Sequence, residues 1–501
     1  MILTAMCLAA ASVSAASETG VARLGSIRFP NSGATAAQEP FLRGVLLLHS
    51  FEYEDAREAF RQALSEDPGF VLAFWGEAMT HNHPLWREQD AAAARAALAR
   101  LAPTPEARRQ RVSTERERGY LDAVEALFGE GDKEARDVVY SEAMGRLAES
   151  HPEDLEARAF HALSILGTAQ GIRDFGVYMR AAAVAEEVFA ANPEHPGAAH
   201  YLIHSYDDPV HAPLGLRAAR VYATIAPAAS HAQHMISHIH LALGEWGDAV
   251  EANVKAFAVS EERRRRKSLG PDSLNYHALH WLQYSYLQLG RFDEARSLLD
   301  RMTGFARESG SPRARWHLAA MRAAWVVETG GQPAPGELPA GQMQLTGAAA
   351  DLFATGYAGL LAGRREAAEE AVRFIGQRAD TAAAGHLCTQ SGSYEDTSRN
   401  DLIVADVMRK SLRAMLALDR ADVPGALALL DEATAAEESM PMDFGPPLIV
   451  KPSHELYGEV LLKLGRPSEA RAQFEKALSR APQRRLSLAG LTRAADAPSG
   501  R

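Results

Sequence analysis

The sequence predicts an all-α protein built from repeated helical hairpins, and two observations indicate this fold class. Alanine and leucine recur along the whole chain with glutamate and arginine between them, and these residues favour helix over strand. The order of small, aromatic and helix-ending residues also repeats. Because 501 residues are too many for one ordinary core, a repeat array is the expected architecture.

The repeat is clearest near the two ends of the chain. The first unit has the order Gly44, Leu47, Ala56, Phe60, Ala63, Pro68. A unit near the C-terminus has the order Gly458, Leu461, Gly465, Ala470, Phe474, Ala477, Pro482. Small residues allow two helices to approach, and the aromatic ring fills the space between them. Proline ends each unit because it cannot continue a helix.

This pattern resembles the tetratricopeptide-repeat (TPR) family, and the resemblance covers most of the chain although the units are divergent and of unequal length. The resemblance implies an all-α, TPR-like helix–turn–helix superhelical solenoid of stacked antiparallel helix pairs. It also implies that the first helix of each pair lines a concave groove. Positions 2, 5 and 9 of each unit would point into that groove.

Four segments are predicted along the chain. Residues 1–16 have the apolar run and small residues of a secretory signal peptide, with a buried first helix as the alternative. Residues 17–328 and 342–501 are expected to form two TPR-like arrays, the second ending in a capping helix. Residues 329–341 are rich in Gly and Pro and predict a linker. We therefore expect a periplasmic or secreted protein, in which Cys388 would be the single cysteine left after cleavage.

The charge and hydropathy of the chain argue against nucleic-acid binding and against a transmembrane helix. The formal net charge of −11 makes nucleic acid a poor candidate. The residues after the predicted signal peptide contain no apolar run of the length that a transmembrane helix needs.

Histidines are concentrated on the predicted inner face. Three units, numbered from their own proline and alanine anchors, offer nine groove positions, of which seven hold histidine and two hold Gly197 and Tyr284. With 18 histidines in 501 residues, chance would place about 0.3 there. The seven are His200, His204, His231, His234, His238, His277 and His280.

These histidines predict a transition-metal site. Residues at positions 5 and 9 share one helix face, and packed helices lie about 8–10 Å apart, so imidazoles from neighbouring helices can converge on one ion. Imidazole ligands suit Zn, Cu, Fe or Ni rather than Ca or Mg, and seven exceed the needs of one ion. Two alternatives remain open, a metal-free groove for an anionic or aromatic ligand and core histidines assigned to the wrong register.

Further residues are candidates for supporting or ligand-binding roles. Asp207 and Asp208 could ligate an ion or orient an imidazole, and Tyr284 could carry a proton. A polar cluster at one mouth of the groove could face a ligand, or it could pack and cap a turn. It consists of Trp75, Glu77, Asn82 and His83.

Three functions fit these patterns. The first is an exported scaffold that binds metal, the second is a metalloenzyme acting on a molecule in the groove, and the third is a metal-free TPR scaffold that binds protein or peptide. Either a small molecule or a peptide could occupy the groove. The stretch His200–His204 has the histidine spacing of a zinc peptidase but lacks the glutamate that would act as its base.

Overall fold

The computed structural model describes residues 23–169, 173–386, 397–442 and 444–497. The predicted signal peptide, residues 1–16, and Cys388 lie outside the described residues, so the predictions made for them stay predictions. The described residues form 23 α-helices and one hairpin of two very short strands. The predicted fold class, an all-α TPR-like solenoid, is confirmed.

The helices follow one another as antiparallel pairs. In chain order they are α1 (Thr35–His49), α2 (Tyr53–Glu66), α3 (Val71–Met79), α4 (Ala91–Ala99), α5 (Pro105–Arg109), α6 (Glu115–Leu127), α7 (Lys133–Ser150), α8 (Leu155–Gly167), α9 (Phe175–Ala191), α10 (Pro196–Ser205), α11 (Ala212–Ile225), α12 (Ser230–Leu243), α13 (Trp246–Lys267), α14 (Tyr276–Gln288), α15 (Phe292–Ser309), α16 (Pro312–Glu328), α17 (Leu345–Leu361), α18 (Arg365–His386), α19 (Arg399–Asp419), α20 (Val423–Glu438), α21 (Ser453–Lys463), α22 (Pro467–Arg480) and α23 (Arg485–Asp496). The strands β1 (Asn82–His83) and β2 (Glu88–Gln89) pair antiparallel.

Glycine and phenylalanine fix the approach of helices within a repeat. The buried ring of Phe60 on α2 lies against Gly44 of α1 and Gly76 of α3. A Cβ at Gly76 would lie 2.3 Å from that ring, closer than van der Waals contact permits. Phe474 makes the same contact with Gly458 of α21 and with α23. The recurring glycine and aromatic residues of the sequence are therefore packing partners.

The hydrophobic core continues through the predicted linker. Residues 330–344 are irregular, but α16 and α17 pack together on either side of them. The Arg315 guanidinium on α16 donates to the Gln342 carbonyl at 2.9 Å, which ties the segment to the array. One cluster of buried apolar side chains extends from Leu241 to Val450 and so spans this segment.

The superhelix winds tightly enough for its turns to touch across the interior. Near its start, Arg263 of α13 pairs with Glu54 at 2.9 Å, and Lys267 pairs with Glu58 of α2 at 2.6 Å. Near its end, the buried Arg484 side chain donates to the Tyr284 hydroxyl on α14 at 2.7 Å. The first and last repeats therefore cover the inner faces of the middle helices.

A search of the described residues for membrane-crossing helices gave none of sufficient length and apolar character.

The glycine–phenylalanine contact can be tested with a matched pair of substitutions. Gly76→Ala should lower the free energy of unfolding by about 1–3 kcal/mol, because the added methyl overlaps a ring that cannot move within the core. Gly247 of α13 is the control, since a Cβ there meets nothing within 4 Å. Gly247→Ala should leave stability unchanged or raise it by up to about 1 kcal/mol. Urea unfolding followed by circular dichroism measures both, and equal effects would contradict the packing role.

Candidate metal centre

Three helices along the inner face carry the predicted histidines. Helix α10 begins at Pro196, α12 at Ser230 and α14 at Tyr276, so the register predicted from the repeat is the register of the helices. The second, fifth and ninth residues of each helix lie on one face, as their spacing requires. The fifth and ninth residues of α10 and α12 are four histidines, and the second residues of α12 and α14 are two more.

Six of these histidines form two groups of three. Triad A is His200 and His204 of α10 with His231 of α12. Its Nε2 atoms converge, since the His200 Nε2 lies 3.0 Å from that of His204 and 3.1 Å from that of His231. Ring nitrogens of the three residues all lie within 4.8 Å of one another, a spacing that could hold an ion.

Triad B is built in the same way one repeat further along. It consists of His234 and His238 of α12 with His277 of α14. The Nε2 atoms of His234 and His238 are 3.0 Å apart. In triad B the ring centroids of the three pairs are 4.7, 4.8 and 6.1 Å apart, against 4.8, 4.9 and 6.2 Å in triad A. The repeat therefore reproduces one geometry twice.

Hydrogen bonds on the far side of each ring decide which nitrogen is protonated in triad B. Asn253 donates its amide to the Ala249 carbonyl at 2.8 Å, which turns its Oδ1 toward His234. His234 Nδ1 then donates to that oxygen at 2.6 Å. His238 Nδ1 donates to the Asp207 carboxylate, which can accept but cannot donate. Both Nε2 atoms therefore carry lone pairs, and these face each other at 3.0 Å.

If both imidazoles are neutral, these two nitrogens repel each other unless a cation lies between them. Burial lowers the pKa of His234 well below its usual value, so a proton is disfavoured on that ring. A metal ion fits the spacing. Two nitrogens bound at about 2.0–2.1 Å to one ion lie about 2.8–3.4 Å apart for angles from square to tetrahedral. Triad B therefore has the protonation pattern and spacing of a metal-binding group.

Triad A shares this pattern at its central ring. His200 Nδ1 donates to the backbone carbonyl of His49 at 2.6 Å, so its Nε2 also carries a lone pair toward the other two rings. Burial lowers the pKa of His200 to about 3 and the pKa values of His204 and His231 well below the usual range. All three imidazoles are neutral near pH 7, which is the form that binds metals.

The two aspartates that follow α10 have different surroundings. Asp207 is buried, and its Oδ2 accepts from His238. Its buried Oδ1 has no hydrogen-bond partner among the described residues. Asp208 instead accepts from Arg173 at 2.8 Å and from His211 at 2.9 Å, which satisfies it within a separate ion-pair cluster. Of the two, Asp207 is the one positioned beside the triads.

The remaining groove residues of α14 lie outside both triads. His280 packs its ring against Trp316 and His317 of α16, with centroids 5.9 and 5.6 Å apart. Tyr284 accepts a hydrogen bond from Arg484, in a buried charged network that also contains Glu455. A third triad would need a metal ligand at Tyr284, and the hydroxyl of Tyr284 is instead hydrogen-bonded to Arg484 near the C-terminus.

The polar cluster predicted at the groove mouth is divided among several structural roles. Trp75 lies in the core of the first repeats, against Phe29, Tyr120 and Phe160. Glu77 is buried and pairs with Arg61 and Arg100.

The other two members of that cluster belong to the β1–β2 hairpin. The Asn82 side chain accepts from Gln89 at 2.9 Å. The His83 ring stacks on Tyr53 with centroids 3.9 Å apart, and its Nδ1 pairs with Glu88 at 3.1 Å. The nearest link from this hairpin to the triads is Trp86, whose ring lies 5.7 Å from that of His231.

A second buried histidine cluster, which the sequence did not predict, lies next to triad A. Glu156 of α8 accepts from His49 at 2.7 Å and from His195 at 3.1 Å. Tyr201 donates to His49 Nδ1 at 2.8 Å, and the Ala198 amide donates to His195 Nδ1 at 3.2 Å. Every ring nitrogen here has a partner of the right kind, so this cluster needs no ion. The His49 ring also fills the space beside Gly197, where a Cβ would lie 2.4 Å from it.

Aromatic side chains cover the triads. Phe51, in the turn between α1 and α2, lies with its ring 4.3 Å from His200, 5.9 Å from His204 and 5.4 Å from His231. Phe444 lies 5.5 Å from His238 on the opposite side. A narrow pocket beside His204 has about 50 Å³ for water-sized molecules, which is room for a few waters. Four of the six triad histidines are therefore buried, while His231 and His277 stay partly exposed, and the pocket gives an approach at His204.

Comparisons with known proteins agree with the repeat architecture at one place in the chain. Residues 452–484, which contain α21 and α22, match the family described as Tetratricopeptide repeat. No curated protein matches the chain. The match to the family therefore covers one repeat unit, and the other units are recognised by their helices.

Three solved structures are similar to the chain at low identity. One is the Cut9–Hcn1 hetero-tetramer of APC/C, with 13% identity over 94% of this chain and 78% of that chain, at a TM-score of 0.38. Another is a Rap protein complexed with competence and sporulation factor. It is 12% identical over 80% of this chain and 97% of that chain, at a TM-score of 0.37. The third is yeast Tom70, which is 11% identical over 92% of this chain and 95% of that chain, at a TM-score of 0.32.

The buried neutral histidines make the stability of the metal-free protein dependent on pH. Burial lowers the pKa of His280 from 6.5 to about 4, so the unfolded chain binds the extra proton first as the pH falls. Stability should therefore decrease as the pH drops from about 6.5 to about 4. His280→Gln should make this slope shallower by up to about 1.4 kcal/mol per pH unit. Urea titrations in a chelator between pH 4 and 7 measure the slope, and an unchanged slope in the variant would contradict the expectation.

Proposed function

We propose that this protein is a TPR scaffold that binds two transition-metal ions, one in triad A and one in triad B. The observation that carries the proposal is the pair of Nε2 atoms of His234 and His238, which face each other at 3.0 Å in a buried site. Both rings are held in this protonation state by acceptors on their other nitrogen. Such acceptors are the usual companions of metal-bound imidazoles.

The donor set favours a particular class of ion. Each triad offers three imidazoles, which suit Zn, Cu, Fe or Ni and are poor ligands for Ca or Mg. Three protein ligands leave at least one coordination position open, and this is the arrangement of reactive metal sites rather than of closed structural ones. A bound ion would supply Lewis acidity at that position and, for copper or iron, one-electron chemistry.

The enclosure of the triads favours small ligands over peptides. Phe51 and Phe444 cover the histidines, and the approach beside His204 has room for a molecule of a few atoms. An extended peptide is too large for the pocket beside His204. We therefore propose a metal centre that meets water, dioxygen or small anions, in an exported protein if the predicted signal peptide is cleaved.

Elemental analysis of single variants tests the metal sites one at a time. His231 and His277 are the more exposed members of their triads, so replacing them should disturb the fold least. Protein produced without an affinity tag and loaded near neutral pH should bind two equivalents of Zn or Cu. His231→Ala and His277→Ala should each retain about one, because two imidazoles bind far more weakly than three.

The matched control is His240→Ala on the same helix as His234 and His238. The His240 side chain turns away from the triads and pairs with Glu245 at 2.6 Å, so its loss should leave both equivalents in place. Thermal unfolding of every variant checks that the fold is kept. If neither ion binds to the folded wild-type protein, the metal centre is refuted and the interior is a metal-free ligand site.

A further inference from the structure

The rings of the two triads form one continuous cluster. His204 of triad A lies 5.6 Å from His238 of triad B, and His231 lies 6.2 Å from His234, measured between ring centroids. These separations are close to those of the widest pairs inside the triads, which are 6.1 and 6.2 Å apart. Ions held by the two triads would therefore be neighbours, with protein groups from both triads between them.

The Asp207 carboxylate lies at the junction of the two triads. One of its oxygens lies within 4.8 Å of ring nitrogens of both His204 and His238. Its Oδ2 is engaged by the His238 Nδ1, which fixes that ring for triad B. Its Oδ1 is buried without a hydrogen-bond partner among the described residues. A buried carboxylate oxygen in this condition is costly unless a cation or a bound water satisfies it.

The nearby arginine does not supply that cation. Arg173 donates to Asp208 at 2.8 Å and to the Ser205 carbonyl at 3.0 Å, so its guanidinium is engaged by other acceptors. The six imidazoles bring no negative charge to two divalent ions. Asp207 is the carboxylate that the described residues place between the triads, and it can compensate part of that charge.

We propose that Asp207 joins the two triads into a single dinuclear centre. Its Oδ1 would bind the ion of triad A, while its Oδ2 orients His238 on the ion of triad B. This inference rests on the proposed function, since it requires that both triads hold ions. It adds a seventh protein ligand and makes the two ions act on each other, which two separate sites would not require.

Electron paramagnetic resonance of the Cu(II)-loaded full-length protein tests the coupling. Two neighbouring Cu(II) ions should give a signal broadened by dipolar coupling, with a half-field line that isolated ions lack. His277→Ala, loaded with one equivalent, should give the sharp signal of a single ion without that line. Two bound ions with the sharp spectrum of independent centres would overturn the dinuclear proposal and leave the proposed function standing. No bound copper would instead refute the proposed function.

Asp207→Asn tests the ligand itself, because it removes the charge and keeps the size of the side chain. We expect the copper affinity of triad A, measured by competition with a chelator in the His277→Ala background, to fall at least tenfold. Asp300→Asn, which makes the same change at an exposed position of α15, should leave the affinity unchanged. Equal affinities for the Asp207 and Asp300 variants would overturn the role of Asp207. If Asp207→Asn does not fold, the wild-type spectrum still decides whether the ions are coupled.

Discussion

The contacts made by the end of α1 and by the turn that follows it hold the interior of the protein together. The backbone carbonyl of His49 fixes the ring of His200, and the His49 side chain joins Glu156 of α8 to Tyr201 of α10. Two residues later Phe51 adopts a left-handed backbone conformation, with φ of 55°. Such a conformation costs a non-glycine residue on the order of 1 kcal/mol, and here it directs the ring onto triad A. The first repeat thus organises helices that follow it by 150 residues.

Protonation separates the histidine clusters of this protein more clearly than distance does. Both triads and the cluster around Glu156 place three potential ligands within 4.8 Å. Around Glu156 each imidazole nitrogen meets a complementary donor or acceptor, and the ionised carboxylate balances the network. In the triads the outer nitrogens of His200, His234 and His238 have acceptors, and their inner nitrogens face other imidazoles. A cluster of histidines is therefore informative about metals when the partners of its outer nitrogens are known.

The repeat pattern predicted what depends on local geometry. The anchor residues gave the helix starts, and a fixed start places the second, fifth and ninth residues on one face. That reasoning brought His200 and His204 next to His231. The same reasoning could not show that His280 lies outside the triads. That outcome depends on the hydrogen bond between Tyr284 and Arg484, which are 200 residues apart in the chain. Contacts between distant turns of the superhelix leave no trace in the period of the repeat.

The same limit explains the supporting residues that the sequence did not reveal. Glu156 and His49 belong to different repeats from the triads, and their side chains meet only when the superhelix has wound past itself. Asn253 lies in the second helix of a pair, where the pattern predicts packing, and its amide nevertheless orients His234. Asp207 was a candidate because it follows His204 by three residues, close enough for local reasoning. That its Oδ1 is buried without a hydrogen-bond partner among the described residues can be seen only in the structure.

The covers over the triads have a kinetic consequence. Phe51 belongs to the first repeat, and Phe444 belongs to the segment that leads into the last one. Phe51 lies against triad A and Phe444 against His238 of triad B. Ions bound in the triads, as proposed above, would exchange with solvent more slowly where these rings lie over them. Exchange would then be fastest while the chain is still folding, before the first and last repeats are in place.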